Sequence, residues 1–260
     1  MSRAVAGPAV GDQSSNEDSA PNGARPAEVR SMFSRIAPTY DLLNSLLSLG
    51  LDARWRREAA LVAVEGAPAR ALDVATGTGK LAFALKRALP ACAVTGVDFS
   101  AEMLAVARGA ADRSGIDVAF AAADGTALPF ADGEFGAVTI GYGLRNFADP
   151  DAGLREFRRV LSPGGRLVVL EFPPPPAGPV GAAFRLYFER LLPLVGGLVS
   201  GDREAYDYLP RSVGAFMEPD ELAARMTQAG FAQVRYRLQT FGVSALHVGV
   251  KAHTGLVGGR

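Results

Sequence analysis

The stretch Ala71–Leu81 reads ALDVATGTGKL, an apolar run carrying Asp73 that passes into Thr76-Gly77-Thr78-Gly79, and a second apolar run, AVTGVD, ends on Asp98. Glycines at 77 and 79 have no Cβ, so backbone can pass close to a ligand there. A carboxylate closing the next strand can accept both hydroxyls of a ribose. The combination suits a cofactor that carries a nucleoside.

The spacing narrows the choice of cofactor. Thr76-Gly77-Thr78-Gly79-Lys80 lacks the GxGxxG arrangement that brings a helix N-terminus up to a pyrophosphate, and the chain has no GxxxxGK[ST] phosphate loop. Asp73, four residues before Gly77, would repel a diphosphate and attract a cationic amino acid. S-adenosylmethionine (SAM) has such an amino-acid end and a sulfonium as well. A plainer role for Asp73 stands beside this one: a loop aspartate often only braces its loop by accepting backbone N–H bonds.

The elements that must position these groups alternate along the chain. Strands are expected at Arg70–Val74, Ala93–Asp98, Val118–Ala122, Ala137–Gly141, Arg166–Glu171, Gln233–Leu238 and Ala245–Lys251. Helices are expected near Leu81–Ala88, Ala101–Ser114, Ala152–Leu161 and Pro219–Ala229. No helix separates the last two strands, which read as a hairpin. Helical patterning also runs from about Glu28 to Val64, with breaks near Pro38 and Gly50. Periodicity establishes an α/β class and no strand order.

Two further segments follow strands at what would be the carboxyl edge of the sheet, where open α/β folds bind ligands. In Asp124-Gly125-Thr126-Ala127-Leu128-Pro129-Phe130, Asp124 could bond the exocyclic amine of an adenine, with Leu128 and Phe130 as its apolar wall. For Phe130 a place in the core is an equal alternative. Gly141-Tyr142-Gly143-Leu144-Arg145-Asn146-Phe147 would face the transferred group, and the part of Tyr142 stays open.

Composition excludes several classes. The 260 residues carry 27 Lys plus Arg against 27 Asp plus Glu, so no net field recruits nucleic acid or anionic lipid. The lone cysteine, Cys92, rules out an internal disulfide framework, and no Cys/His cluster has metal-ligand spacing. Residues 1–27, rich in Ala, Gly, Ser, Pro and Asn without an apolar run, read as a disordered tail.

Longer motifs resemble those of the quinone-biosynthesis C-methyltransferases, which use SAM to methylate demethylmenaquinol or a polyprenyl benzoquinol. Tyr40, Asp41, Leu43, Asn44, Leu47, Ser48 and Trp55 fit the family's N-terminal signature, with Asp52 where it has histidine. Arg159, Val160, Leu161, Pro163, Gly164, Gly165, Leu167, Leu170, Glu171 and Phe172 fit a later one, with Ser162 replacing a lysine and Pro173 a serine. SGDREAYDYLPRSVGAF, AGF and GVSALHVG are similar to the family's C-terminal half. Ala75 takes the place of the first glycine of many SAM-binding loops.

The resemblance spans roughly Val29 to Ala252. It implies a Rossmann-like class I methyltransferase: a mixed seven-stranded sheet with helices on both faces and an N-terminal helical cap. The domain would run over residues 28–252, with the cap at 28–64, a substrate-cap insertion at 178–210, and a tail at 253–260. Carried over residue by residue, the cofactor contacts are Thr78, Asp98 on the ribose, Asp124 with Gly125 at the adenine, and Gly141 beside the methionine end; the bottom-up reading adds Asp73, Gly77 and Gly79. Arg145 and Asn146 resemble the family's pair that faces the quinol, where Arg could stabilise a phenolate or order a water acting as base. Tyr40, Asp41, Tyr206 and His247 are lesser candidates, and His247 is set aside as equally fit for a structural part.

The implied reaction is C-methylation of a polyprenyl quinol with SAM as methyl donor and no metal, demethylmenaquinol being favoured over a polyprenyl methoxybenzoquinol. A SAM-binding regulator without catalysis and a nicotinamide oxidoreductase are the rival classes. The resemblance also implies a cytoplasmic enzyme with a peripheral contact at the inner face of the membrane. Ala182–Val199, apolar but carrying Arg185, Glu189 and Arg190, falls short of a spanning helix and reads equally as a mobile cap over the prenyl tail or as an amphipathic helix on the sheet or at a dimer interface.

Overall fold

The computed structural model describes residues 48, 50–175, 178, 181, 182, 186 and 210–253. Tyr40, Asp41, Tyr206, the N-terminal tail and most of the two cap segments lie outside the described residues.

The first described helix, α1 (Leu51–Ala63), starts after Gly50 in the left-handed conformation and turns Trp55, Ala59, Ala60 and Ala63 inward. Small residues at this spacing let it lie close on its neighbours. The chain then alternates β1 (Arg70–Val74), α2 (Lys80–Ala88), β2 (Ala93–Asp98), α3 (Ala101–Ser114), β3 (Ala119–Ala122), β4 (Phe135–Gly141), α4 (Pro150–Val160), β5 (Leu161–Glu171), α5 (Pro219–Gln228), β6 (Phe231–Gln239) and β7 (Ser244–Lys251). Local signals fix the helix starts. Ser100 accepts from Met103 N at 3.2 Å to cap α3, and Asp149, followed by Pro150 in the first turn, caps α4 through Ala152 N at 2.9 Å.

The seven strands form one sheet in the order β3-β2-β1-β4-β5-β7-β6. All pairings from β3 to β5 are parallel, and β7 runs antiparallel to both β5 and β6. Strand order reverses between β1 and β4, the switch point at which such sheets open a crevice. Both faces are covered. Leu72, Val74, Ile140 and Val169 pack with Leu154 and Phe157 of α4 and Leu222 and Met226 of α5; Ala71, Ala137 and Val168 pack with Trp55 and Ala59 of α1 and Leu81 and Leu85 of α2. Covering both faces is why the central strands read as continuous apolar runs.

The expected strands and helices are present, with shifted ends. Strand β4 begins two residues before its expected start and β5 five before, directly after α4, because Leu161 already pairs with Phe135 across an irregular register. Gly164 at φ +78 turns the Pro163-Gly164-Gly165 segment within that extension. The turn chemistry expected to separate helix from strand instead bends the strand's beginning.

Candidate active site at the carboxyl edge of the sheet

Val74, Asp98, Ala122, Gly141 and Glu171 end adjacent parallel strands, so the loops that follow them share one edge. Over β1 and β2 the site is built from backbone. Asp98 accepts from Gly77 N at 2.8 Å and from Ser100 N at 2.9 Å, which ties the glycine loop to the start of α3. These two bonds set the orientation of a carboxylate, a group able to accept about four. Within the loop, Thr76 N reaches Val97 O at 2.9 Å and Gly79 N reaches Thr76 O at 2.9 Å.

The two glycines are needed for different reasons. A Cβ on Gly79 would lie 3.0 Å from the rings of Phe83 and Phe120, in addition to the strain of φ +84. A Cβ on Gly77 would meet no protein atom within 4 Å, so the protein demands glycine there only through φ +55. Thr78 is buried between them. Ala75, in the place of a family glycine, keeps the left-handed backbone at φ +50. Its methyl is accommodated by Gly143, whose own Cβ would stand 2.7 Å away.

Asp73 lies beneath this loop, almost fully buried. Its oxygens accept from the hydroxyls of Thr76 and Thr139, both at 2.6 Å, and burial pushes its carboxyl up to about 6 against the pull of those bonds and of Arg56. These are the contacts of a brace between β1, β4 and the loop. The bracing alternative describes these contacts; the cationic-partner role expected of Asp73 would have to act from a buried position beneath the loop.

Asp124, exposed after β3, holds its own turn through Oδ1, which accepts from Thr126 N at 2.8 Å and Thr126 Oγ1 at 2.7 Å; Oδ2 has no partner among the described residues. Gly125 follows because Phe147 leaves no room: a Cβ would come within 2.4 Å of its ring. Leu128 is buried in the core, and Phe130 sits edge-on to Phe135 at 5.0 Å, so the core alternative describes Phe130. Gly141 lies against Leu81, 3.0 Å from the position of a Cβ.

Over β4 and β5 side chains build the edge. Arg145 is buried and ion-paired to buried Glu171 at 2.8 Å, and its Nη1 also donates to Tyr142 O at 2.5 Å. Glu171 accepts in addition from Arg145 N and Phe172 N. The guanidinium expected to stabilise a phenolate or order a water is here paired with a carboxylate, which fixes its position beneath the loop. Asn146, half-buried at the end of a single 3-10 turn (Leu144–Asn146), is brought to the same edge by Asn146 N bonding Gly143 O at 3.1 Å.

Tyr142 adopts φ +60 and stacks on Phe172 with ring centroids 4.3 Å apart. Arg56 lies over the Tyr142 ring at 5.4 Å, and Trp55 meets Phe172 edge-on at 6.2 Å. Burial raises the Tyr142 hydroxyl well above its usual range. Helix α1 completes the cluster with a second buried pair, Arg56 to Asp52. Although burial opposes it, Arg56 and Ser48, which donates at 2.9 Å, hold the Asp52 carboxyl below its ordinary value. The position that has histidine in the family therefore carries a permanent partner for Arg56 here.

Sequence reasoning had no role for Arg56 or Glu171. The usable signal was Glu171 itself: an acid closing the run RLVVL must be buried, and a buried acid needs a partner. His247 lies elsewhere, bonding Pro219 O at 2.9 Å and stacking on Tyr236, so it fastens α5 to β7. Among the described residues no group of three or more His, Cys, Asp or Glu is placed to hold a metal ion.

Comparison with known proteins places these features. The model of the ubiE/COQ5 methyltransferase family matches residues 21–251. A demethylmenaquinone methyltransferase of Thermus thermophilus is 60% identical over 218 residues, covering 84% of this chain and 99% of that protein. The enzyme of the same name from Deinococcus radiodurans is 52% identical over 86% of this chain and 92% of its own length. A ubiquinone/menaquinone biosynthesis C-methyltransferase of Geobacter sulfurreducens is 44% identical over 86% and 88%. Among solved structures, a SAM-dependent methyltransferase of Thermotoga maritima superposes with a TM-score of 0.57 at 21% identity, covering 85% of this chain and 99% of that one. A putative O-methyltransferase of Nostoc punctiforme gives 0.62 at 18%, over 84% and 60%. At those identities the likeness is one of fold.

Proposed function

The chain belongs to the ubiE/COQ5 methyltransferase family, and from that premise we propose that it transfers a methyl group from SAM to a ring carbon of a demethylated menaquinol. The observation that carries the substrate is the 60% identity, over 99% of its length, to the Thermus protein named for that reaction.

The residues present fit the cofactor. SAM supplies an electrophilic methyl on a sulfonium. Asp98, oriented by two backbone N–H groups, takes the ribose hydroxyls; the outer oxygen of Asp124 takes the adenine amine; and Gly77, whose Cα faces no protein atom at Cβ distance, admits the cofactor's close approach. Thr78, Gly79, Gly125 and Gly141 shape the backbone around it, and Asp73 acts through the loop that it braces.

On the acceptor side the protein must align a ring carbon with the methyl and let a phenolic proton leave. Loss of that proton sends electron density to the unsubstituted carbon, which bonds the methyl as the carbon–sulfur bond breaks, and loss of the ring proton restores aromaticity. Asn146 is the polar group for the quinol hydroxyl, directly or through a water. Arg145 is a positioning residue: its bonds to Glu171 and to Tyr142 O hold the 142–146 turn that carries Asn146.

A prenylated acceptor brings the enzyme to a membrane. We place the enzyme in the cytoplasm with a peripheral contact at the membrane's inner face, where such an acceptor can be reached; no helix among the described residues is long and apolar enough to cross a membrane.

The test is methyl transfer from labelled SAM to reduced demethylmenaquinone in detergent, run beside a polyprenyl methoxybenzoquinol. Mass-shifted menaquinol, lost on Asp98→Ala, is expected. Product from the benzoquinol alone would replace the substrate, and SAM binding without product from either quinol would overturn the proposal in favour of a regulator.

A further inference from the structure

The turn between β6 and β7 has a feature that methyl transfer does not use. Phe241 is 86% exposed, the largest exposure among the described large apolar side chains. It sits at φ +56 beside Thr240 at φ +47, two successive non-glycine residues in the left-handed region, one of them β-branched. The turn that carries it is tied to the rest of the fold. Trp55 Nε1 donates to Thr240 Oγ1 at 3.0 Å, Gln239 Nε2 to Glu58 at 2.7 Å, and Ser244 Oγ to Gln239 Oε1 at 3.1 Å. A rigid frame therefore holds a large apolar ring out in water, at the expense of backbone strain.

The setting shows what the ring is held out for. Glu171 pairs with Ala245, so this turn stands at the same edge of the sheet as the active site. Leu238, half exposed, lies beside it. Exposed Arg54, Arg235 and Arg237 stand on the α1 side of the turn, where Glu58 bonds both Arg54 and Arg237, while Leu238 alternates onto the opposite face of β6 with Tyr236. An exposed ring at the end of a strand, with arginines to one side of it and an apolar side chain to the other, matches the boundary between acyl chains and anionic headgroups.

We propose that the β6–β7 turn docks the enzyme on a bilayer containing anionic phospholipid, Phe241 and Leu238 entering the acyl boundary while Arg54, Arg235 and Arg237 meet the phosphates. The proposal rests on the reading of the acceptor as a prenylated quinol, a molecule that dissolves in the bilayer. Docking here turns the active-site edge toward the leaflet that holds the substrate.

Cosedimentation of the full chain with phosphatidylcholine vesicles, with and without phosphatidylglycerol, tests it. The Phe241→Asn variant suits the left-handed backbone and removes the ring; Phe241→Trp keeps a ring. Affinity for anionic vesicles should fall about tenfold in Phe241→Asn, as loss of one buried aromatic side chain requires, and be retained in Phe241→Trp. The Arg235→Gln/Arg237→Gln double variant should lose the preference for phosphatidylglycerol. Turnover of quinol embedded in vesicles should drop with Phe241→Asn, while turnover in detergent and the melting temperature stay unchanged. Equal vesicle binding by wild type and Phe241→Asn would overturn the proposal, as would a wild-type dimer that Phe241→Asn converts to monomer in sedimentation velocity without a change in vesicle binding. Vesicle binding that needs Phe241 in an enzyme that methylates no quinol would uphold docking and reject the acceptor.

Discussion

The two halves of the active-site edge are made of different materials. Over β1 and β2 the geometry is held by main chain: left-handed residues at 75, 77 and 79, and backbone N–H groups converging on Asp98. Over β4 and β5 it is held by buried side chains in neutralised pairs, Arg145 with Glu171 and Arg56 with Asp52, packed about stacked rings. The first half meets a cofactor whose shape never varies, and backbone conformation is enough to present fixed donors and open space. The second half must exclude water around a reacting ring, and interior charges there are tolerable only as pairs.

The contrast can be broken most severely at Glu171. Glu171→Ala leaves the Arg145 guanidinium buried without its carboxylate and should cost about 3–5 kcal/mol of stability in urea unfolding. The double variant with Arg145→Met should recover most of it. An unchanged midpoint for the single variant would remove the claim that paired charge holds this half. Asp98→Ala should do the reverse, leaving the sheet stable while SAM affinity falls by roughly 100-fold, the equivalent of one or two bonds to a charged group, as read by titration calorimetry.

Asp73 joins the halves and makes the comparison depend on pH. Its carboxyl titrates near 6 in the folded protein against 3.8 as an ordinary aspartate, so the folded state binds the proton more tightly. Stability from this group is fully present below the lower value and is lost as pH rises to the upper one, a decline of up to ~3 kcal/mol. Subtracting the pH profile of Asp73→Asn from that of wild type should isolate the decline; parallel profiles would mean that the carboxyl titrates normally. The smallest effect is expected at Ala75, where Ala75→Gly should relieve the left-handed strain and stabilise by up to ~1 kcal/mol in thermal melts.

The same division decides what the sequence revealed. Glycines and acids that end apolar strands are local features, so Gly77, Gly79, Asp98, Asp124 and every strand could be found from neighbouring residues. The bulged start of β5 escaped because Pro163-Gly164-Gly165 signals a turn whether or not the strand continues through it. Glu171 and the packing of Tyr142 escaped because their partners lie on other elements: Glu171 meets Arg145 across 26 residues, and Phe172 meets Trp55 across a still longer interval; Arg56 has its partner Asp52 one turn away, and what escaped was that the pair is buried. Arg145 was found as a residue, and its pairing with Glu171 was not, for the same reason. No local pattern announces that a carboxylate from the next strand will neutralise it.

Of the described strands β7 is made last, yet it sits between β5 and β6 in the finished sheet. Until it is made, the eleven-residue β5 offers an open, apolar edge, and the turn whose Thr240 hydroxyl holds Trp55 of α1, 185 residues earlier, has no β7 to anchor it. Assembly of this protein is therefore a late event dominated by distant contacts, slow by its topology and exposed to aggregation while it waits. A nascent chain stalled before residue 244 would be a client for chaperones, with the loops for its cofactor already formed and the chamber for its chemistry still open.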